Sequence, residues 1–433
     1  MSLAYIELMA STTNEKFSDP DKDKILTICV LIKSENNFEL NVIATNDDFR
    51  LDVNEFYPHK MALILKFCDN EEQIIEEFCD LIRKKDIDIL AGFEIQKKSI
   101  GFLLDRIIKA YGKNSHVFCR NFDSDNRKLL NVLAQFDSKI VCFEKFGRIF
   151  LNIWQVCRSE LSLRSYTIQN VYFDLFSETF PSLNDQILFA NFCKGGFAKS
   201  RAISYVAKKC LLSHQILENL FIIERTCEKA NIYGITFANV LNRGSQYRVQ
   251  SMLARISKIG VYQLLSPSRK MTMSQNTPTS IPLVLEPEKG FIKDPIIVLD
   301  FRSLYPSIII AYNLCYSTCL GKLHFDSNFH SKKFGVTSKT NFKKVDKKDL
   351  FLTPNKVVFV KHQKRFGLLP ALLLELLQTR IGIKEKMKKS DKNLEKLLNA
   401  RQESFKLISN VIYGYTAAGF SGRMPCSELA ESI

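Results

Sequence analysis

Twelve cysteines lie in 433 residues, yet the chain has no C-x-x-C pair. The tightest spacing is Cys315 to Cys319. Cysteines scattered in this way give no zinc-ligand pattern and no disulfide framework, and no iron–sulfur site is expected among them. Buried, reduced thiols of an intracellular protein are the expectation. Membrane-length apolar runs are missing too. The opening MSLAYIELM has neither the basic start nor the long apolar core of a signal peptide, so no membrane partner is expected. Internal repeats are absent. Acidic residues are scarce beside basic ones, 46 against 61, leaving a formal net charge of +15. That surplus suits a polyanionic partner bound in a salt-dependent way. It suits any soluble basic protein equally, so charge alone decides nothing. The hydrophobic content of 46% is ordinary, and 433 residues exceed what one core serves. Two or three domains are expected.

Residues 1–110 alternate strand-like and helix-like segments. Ile25–Ile32 and Ile87–Gly92 read as strands, and Glu71–Lys85 and Ser99–Ala110 as helices, which is an α/β pattern. Residues 201–260 read mainly helical. Residues 266–295 are rich in Pro, Ser and Thr and read as a connection with few regular elements. The stretch 322–348 is lysine-rich and polar, the character of a solvated insertion. From Pro370 the pattern turns helical, with proline in a favoured first-turn position. A polar break near Ser390–Asn393 separates that helix from a second one reaching about Ala417. Two antiparallel helices joined by a short turn would form a protruding, finger-like element.

The most informative stretch is DFRSLYPSI at 300–308. The preceding run Ile296–Leu299 is continuously apolar and β-branched up to Val298, which predicts a strand buried on both faces. A carboxylate at its end, Asp300, can hold a divalent cation, because hard cations take oxygen ligands. The turn from Arg302 to Tyr305 can offer backbone N–H groups to a triphosphate. Farther on, Arg380 and Lys384 share one helix face, as do Lys406 and Asn410. Two helices presenting cations inward could clamp a triphosphate. A solvated basic face describes Lys386, Lys388, Lys389 and Lys392 better.

DFRSLYPSI resembles the first palm motif of family B DNA polymerases. KLISNVIYGYTAAGFSGRMPC at 406–426 resembles the motif that joins their fingers to their palm. The resemblance implies that Asp300 is a metal ligand, assisted by the Phe301 carbonyl, for Mg²⁺ in a two-metal site. It implies Tyr305 as a steric gate against a 2′-hydroxyl, and Leu304 beside the nascent base pair. Backbone N–H groups of Ser303 and Leu304 would meet phosphates, as would Arg380, Lys406 and, as a helper, Lys384. Asn410 and Tyr413 would line the nucleotide pocket, and Gly414 would admit the new base pair. GYTAAGFSGRMPC, LNRGSQYRVQSML at 241–253 and NLCYSTCLG at 313–321 are similar to the zeta type, the translesion branch of the family. Gly419 departs from the asparagine expected there.

Proofreading members of the family hold two metals about 4 Å apart with clustered carboxylates. Here Tyr5 stands where the first motif has its Asp, leaving Glu7. Ser99 replaces the carboxylate of the second motif, GFEIQKKSIGFL at 92–103, and Lys209 that of the third. An RNase H-like exonuclease fold that does not cut is the expectation, with Glu7 in a structural role.

The implied division is an inactivated exonuclease-like domain at 1–200 and a helical connection at 201–265. A first half of the palm follows at 266–365 with its insertion at 322–348, then two-helix fingers at 366–418 and further palm from 419–433. The fold class is α/β and α+β multidomain. No D-T-D triplet, the second carboxylate motif of such a palm, occurs in these residues; Asp123-Ser124-Asp125 reads as a solvated loop. The expectation is therefore a fragment, inactive unless complemented. The leading reading is a translesion DNA polymerase without proofreading, and the alternative is a non-catalytic DNA-binding scaffold. Primer–template DNA and deoxynucleoside triphosphates are the partners implied. A HORMA-domain accessory subunit, small subunits shared with the delta enzyme and a nuclear location are also implied.

Overall fold

The computed structural model describes residues 1–12, 18–34, 37–46, 48–51, 61–96, 98–111, 120, 141–145, 147–275, 285–323, 345–418 and 423–433. Gly419, Asp123-Ser124-Asp125 and most of the lysine-rich insertion lie outside them. The chain divides into two compact units, Met1–Ile223 and Glu224–Ile433.

The first unit is built on a seven-stranded mixed sheet. Its strands are β1 (Leu3–Ala10), β2 (Ile25–Ser34), β3 (Asn37–Thr45), β4 (Met61–Cys68), β5 (Ile89–Gly92), β6 (Cys142–Lys145) and β7 (Arg148–Asn152), in spatial order β4-β3-β2-β1-β5-β7-β6. β1, β2 and β3 pair antiparallel, whereas β5 lies parallel to β1 and to β7. Helices α1 (Glu71–Lys84), α2 (Ile100–Tyr111), α3 (Ile153–Glu160), α4 (Ile168–Phe176), α5 (Asp185–Cys193) and α6 (Gly196–Asn219) complete it. The two strands and two helices read from periodicity in residues 1–110 are present, within about two residues at each end. α1 begins where the Asn70 side chain accepts the Gln73 N–H at 3.0 Å, satisfying one orphan donor.

β1 is buried along nearly its whole length because both faces are covered. Ala4 and Ile6 pack in one cluster with Phe78 of α1 and Leu103 of α2. On the opposite face, Tyr5 meets α6 through His214, Oη to Nδ1 at 3.2 Å. α6 thus runs directly over the strand that carries Glu7.

The second unit begins near α7 (Ile222–Tyr233), followed by α8 (Phe237–Asn242), α9 (Ser245–Ile259) and α10 (Arg269–Met273). α11 (Leu304–Ala311) precedes a three-stranded antiparallel sheet, β8 (Cys319–Lys322), β9 (Leu350–Leu352) and β10 (Val357–Val360), ordered β8-β10-β9. α12 (Leu368–Met387), α13 (Lys392–Ala417) and α14 (Ser427–Ser432) close the unit. α12 and α13 form the hairpin expected from sequence, and Asp391 caps α13 by accepting the Leu394 N–H at 3.4 Å. Its core gathers Leu253 of α9, Leu369 and Leu373 of α12, and Ile408, Ile412 and Tyr415 of α13.

One local expectation fails. Ile296, Ile297, Val298 and Leu299 form no strand and are 64–89% exposed. A buried strand needs neighbours that take its N–H and C=O groups and cover its faces. Among the described residues of this unit no strand runs beside 296–299, so the apolar run stands uncovered.

Candidate functional site

Asp300 ends this extended segment, and Arg302 and Ser303 turn the chain into α11. Ser303 holds the left-handed conformation, φ 54° and ψ 55°, uncommon for a residue with a Cβ. No side chain caps the helix there, so the first-turn amides stay open. Ser307 steadies the turn by donating its hydroxyl to the Arg302 carbonyl at 3.1 Å.

A cavity of about 610 Å³ opens between this turn, α12 and α13. Asp300, Phe301, Ser303, Leu304 and Tyr305 form one wall, Arg380 and Lys384 of α12 a second, and Lys406 and Asn410 of α13 a third. Residues as far apart in sequence as Asp300 and Asn410 thus share one recess. The packed hairpin core explains why: burying Leu373, Leu376 and Ile408 turns the four-residue-spaced polar pairs away from the core. With Arg302, four cations face one carboxylate, so the recess favours a polyanion.

Tyr413 and Gly414 do not wall the cavity. Tyr413 reaches it indirectly, its ring stacked on that of Tyr305 with centroids 4.7 Å apart and planes within 5°. A Cβ built on Gly414 would meet nothing within 4 Å, so open space lies beside that backbone. Sequence reasoning missed Gln402, which is 9% exposed and accepts the Arg380 Nε–H at 3.2 Å. Its signal was present, since it stands one turn before Lys406 on the same face. The cation of Arg302 and the apolar walls from Leu377 and Ile381 were missed as well.

Mg²⁺ is commonly held by one or two carboxylates together with substrate phosphates. Asp300, with the Phe301 carbonyl beside it, fits one such ion. Among the described residues a two-ion site is incomplete: Asp300 is the one carboxylate lining the cavity, and no three His, Cys, Asp or Glu side chains cluster.

Tyr5, Glu7, Ser99 and Lys209, the positions read as degenerate exonuclease ligands, lie in the first unit. Glu7 is 3% exposed, and the Lys209 ammonium stands 3.0 Å from its Oε2. Its Oε1 accepts the Phe93 N–H at 3.3 Å. Burial opposes the charge on Lys209, but Glu7 overrides it and holds the lysine above its usual range. Ser99 is buried with its hydroxyl unpartnered among the described residues, and Tyr5 is engaged with His214. An ammonium thus sits where a carboxylate-bound cation would be needed, and these residues do not fit a metal pair.

A family model described as DNA polymerase family B matches residues 235–433, and its exonuclease domain matches residues 5–171. The chain is 38% identical to the DNA polymerase zeta catalytic subunit of Arabidopsis thaliana, over all of this chain and 24% of that protein. It is 35% identical to the human zeta catalytic subunit, over all of this chain and 15% of the relative. With the Saccharomyces cerevisiae subunit, identity is 34% over 99% of this chain and 29% of the relative. The chain therefore spans less than a third of the length of these relatives. Two models of one family cover most of its residues, and the polymerase model includes every wall of the cationic cavity: the chain belongs to DNA polymerase family B.

Proposed function

We propose that this chain supplies the nucleotide-binding part of a translesion DNA polymerase of the zeta type, one that works without proofreading. The observation that carries the reading is the convergence of Asp300, Tyr305, Arg380, Lys406 and Asn410 on one cavity. The reaction is attack of a primer 3′-hydroxyl on the α-phosphate of a deoxynucleoside triphosphate, with release of pyrophosphate. Lys406, Arg380 and Lys384 neutralise the charge that gathers on the leaving phosphates. Open amides at the start of α11, with those of Ser303 and Leu304 foremost, orient the same phosphates. Tyr305, held flat by Tyr413, shapes the sugar site and discriminates against a 2′-hydroxyl. Asn410 and the space beside Gly414 belong to the base pair. Mg²⁺, when bound by Asp300 and the Phe301 carbonyl, supplies positive charge to the phosphate oxygens.

In this reading residues 1–200 are an exonuclease-like domain that does not cut, and 366–418 are the fingers. An editor would remove nucleotides placed opposite damage, so its loss suits bypass synthesis. Primer–template DNA, a HORMA-domain subunit, small subunits shared with the delta enzyme and a nuclear location belong to the same proposal.

Equilibrium binding of a fluorescent deoxynucleoside triphosphate to the 433-residue chain tests the reading. Arg380→Ala and Lys406→Ala should each weaken binding about 10- to 100-fold, the worth of one charge-assisted contact. Binding that ignores both substitutions would refute it. The single carboxylate favours a second reading, a non-catalytic DNA-binding scaffold. That reading expects DNA binding with no Lys406-dependent nucleotide binding at all.

A further inference from the structure

The first unit carries a groove that neither charged site described above uses. It measures about 1260 Å³ and has one face of α6 as its floor. Phe197, Arg201, Ser204 and Lys208 line it at three- and four-residue spacing, so they share one side of the helix. That floor runs about 16 Å, the rise of eleven residues. The segment 48–51 forms one wall and the segment 180–183 another. Neither Glu7 nor Lys209 is among the lining residues.

Three features meet there. First, both walls are fastened to α6 by the fold itself. Lys199, 1% exposed, donates to the Thr45 carbonyl at 2.8 Å and pairs with Asp48. The Arg50 amide donates to the Ser200 hydroxyl at 3.1 Å. Across the groove, the Tyr205 hydroxyl donates to the Pro181 carbonyl at 3.0 Å and accepts the Leu183 amide at 3.3 Å. Second, the lining is apolar where it is open. Phe197 is 80% exposed, and Leu51, Pro181 and Leu183 stand with it in the groove. Third, the charge is one-sided. Asp48, the one carboxylate among the described lining residues, is answered by Lys199. Arg50 and Arg201 are exposed and have no acidic partner among the described residues.

We propose that this groove docks an acidic peptide of a partner protein, an extended segment with a bulky apolar residue flanked by carboxylates. About five residues of extended chain match the length of the floor. The apolar residue packs against Phe197 and the leucine walls, as an anchor does in a preformed pocket. Carboxylates beside it meet Arg50 and Arg201, whose planar forks donate to them in pairs. Fixed walls leave little to order on binding, which favours a short segment. A nucleic-acid strand suits the groove less well. Bases need exposed flat faces, but the Tyr205 ring is 7% exposed and stacked on Phe180 at 4.9 Å, and Phe49 is 4% exposed. Leucine and proline walls offer bases nothing to stack on. Neither Asp300 nor the cationic cavity takes part, so peptide docking stands apart from the nucleotide reading.

The test pans a random dodecapeptide library against the 433-residue chain, with the triple variant Arg50→Glu/Phe197→Ala/Arg201→Glu as the counter-target. Peptides enriched on the wild type should carry several acids around a leucine, phenylalanine, methionine or tryptophan. Anisotropy of the most enriched peptide, labelled with fluorescein, then ranks the single variants. Phe197→Ala should weaken binding about 30-fold, Arg201→Glu about tenfold and Arg50→Ala about fivefold. All three side chains are exposed, so unfolding followed by Trp154 should match the wild type. Triphosphate affinity should stay within about twofold. No enrichment over the counter-target would overturn the proposal, as would enriched peptides without acids or affinities that ignore Phe197 and both arginines. A single-stranded oligodeoxynucleotide bound more tightly than the peptide, with the same dependence on Phe197 and Arg201, would put a strand in the groove and overturn it too. So would a concentration-dependent dimer that Phe197→Ala abolishes, since a second copy would then fill the groove.

Discussion

Removing the Lys209 ammonium should strand a buried carboxylate, and Lys209→Met measures what that costs. In the native unit the ammonium lies 3.0 Å from Glu7 Oε2, with the Glu7 side chain 4% exposed and that of Lys209 22% exposed. The other Glu7 oxygen has the Phe93 N–H at 3.3 Å, too little to balance a full charge. Breaking a buried pair by deleting one partner costs about 3–5 kcal/mol. Because Lys209 keeps some contact with water, the low end applies, about 3 kcal/mol. For a unit of this size that lowers the melting temperature by roughly 6–12 °C. The chain has a single tryptophan, Trp154, and it belongs to the first unit, so its fluorescence follows that unit alone. Urea unfolding read by Trp154 is the assay.

The double variant Glu7→Gln/Lys209→Met removes the stranded charge and should recover to within about 1 kcal/mol of wild type. Glu7 holds Lys209 above the usual lysine range. A raised lysine stabilises fully below its unfolded pKa, about 10.4, and loses that contribution as pH climbs through the folded value. The penalty should therefore be constant from about pH 6 to pH 9. Magnesium should not shift the unit's stability, since an ammonium holds the position. A Lys209→Met penalty under about 0.5 kcal/mol, or a double variant no better than the single one, would refute the reasoning.

Three further outcomes follow from other residues. Burial pushes the His214 imidazole down to about 4, although Glu218 pulls it up, and Lys33 adds to the push. A depressed histidine contributes stability that is present above its unfolded pKa, about 6.5. Acid titration of Trp154 unfolding should thus lose on the order of 2–3 kcal/mol between about pH 6.5 and 4. His214→Gln should flatten that window. Gln402→Leu removes the Arg380 partner and should weaken triphosphate binding about three- to tenfold with stability nearly unchanged. Tyr305→Ala should bring ribonucleoside and deoxynucleoside triphosphate affinities closer together, and an unchanged ratio would take Tyr305 out of the sugar site.

Legibility followed the range of the interactions. β2, α1 and α2 were readable because burial on one core imposes a period on neighbouring residues. The cationic hairpin faces were readable for the same reason, four-residue spacing along a helix. Ile296–Leu299 was misread because strand formation depends on partners that periodicity cannot see. No run of β-branched residues can bury itself without a neighbouring ladder. Gln402 was passed over because its importance lies in which guanidinium it touches, a fact of tertiary geometry. The Lys209–Glu7 pair was half visible: the reversed charge was plain, but only the placement of α6 over β1 brings the two together across 202 positions.

The two charged sites differ in how their charge is balanced, and that difference explains why one is closed and the other open. Glu7 has its cation built into the chain, on a helix packed across the strand, so the balance is complete once the unit folds. Asp300 makes no such ion pair among the described residues, although Arg302 stands two positions along its own segment. The other cations of the cavity, Arg380, Lys384 and Lys406, stand on other helices, and the cationic excess calls for phosphates rather than for a carboxylate. A triphosphate arriving with its ion would bring negative charge to Arg380, Lys384 and Lys406 and positive charge to Asp300 together. Neither need is met by the protein alone. Charge left unbalanced in a cavity of this size is the mark of a site that binds, just as charge balanced in a core is the mark of one that holds the fold.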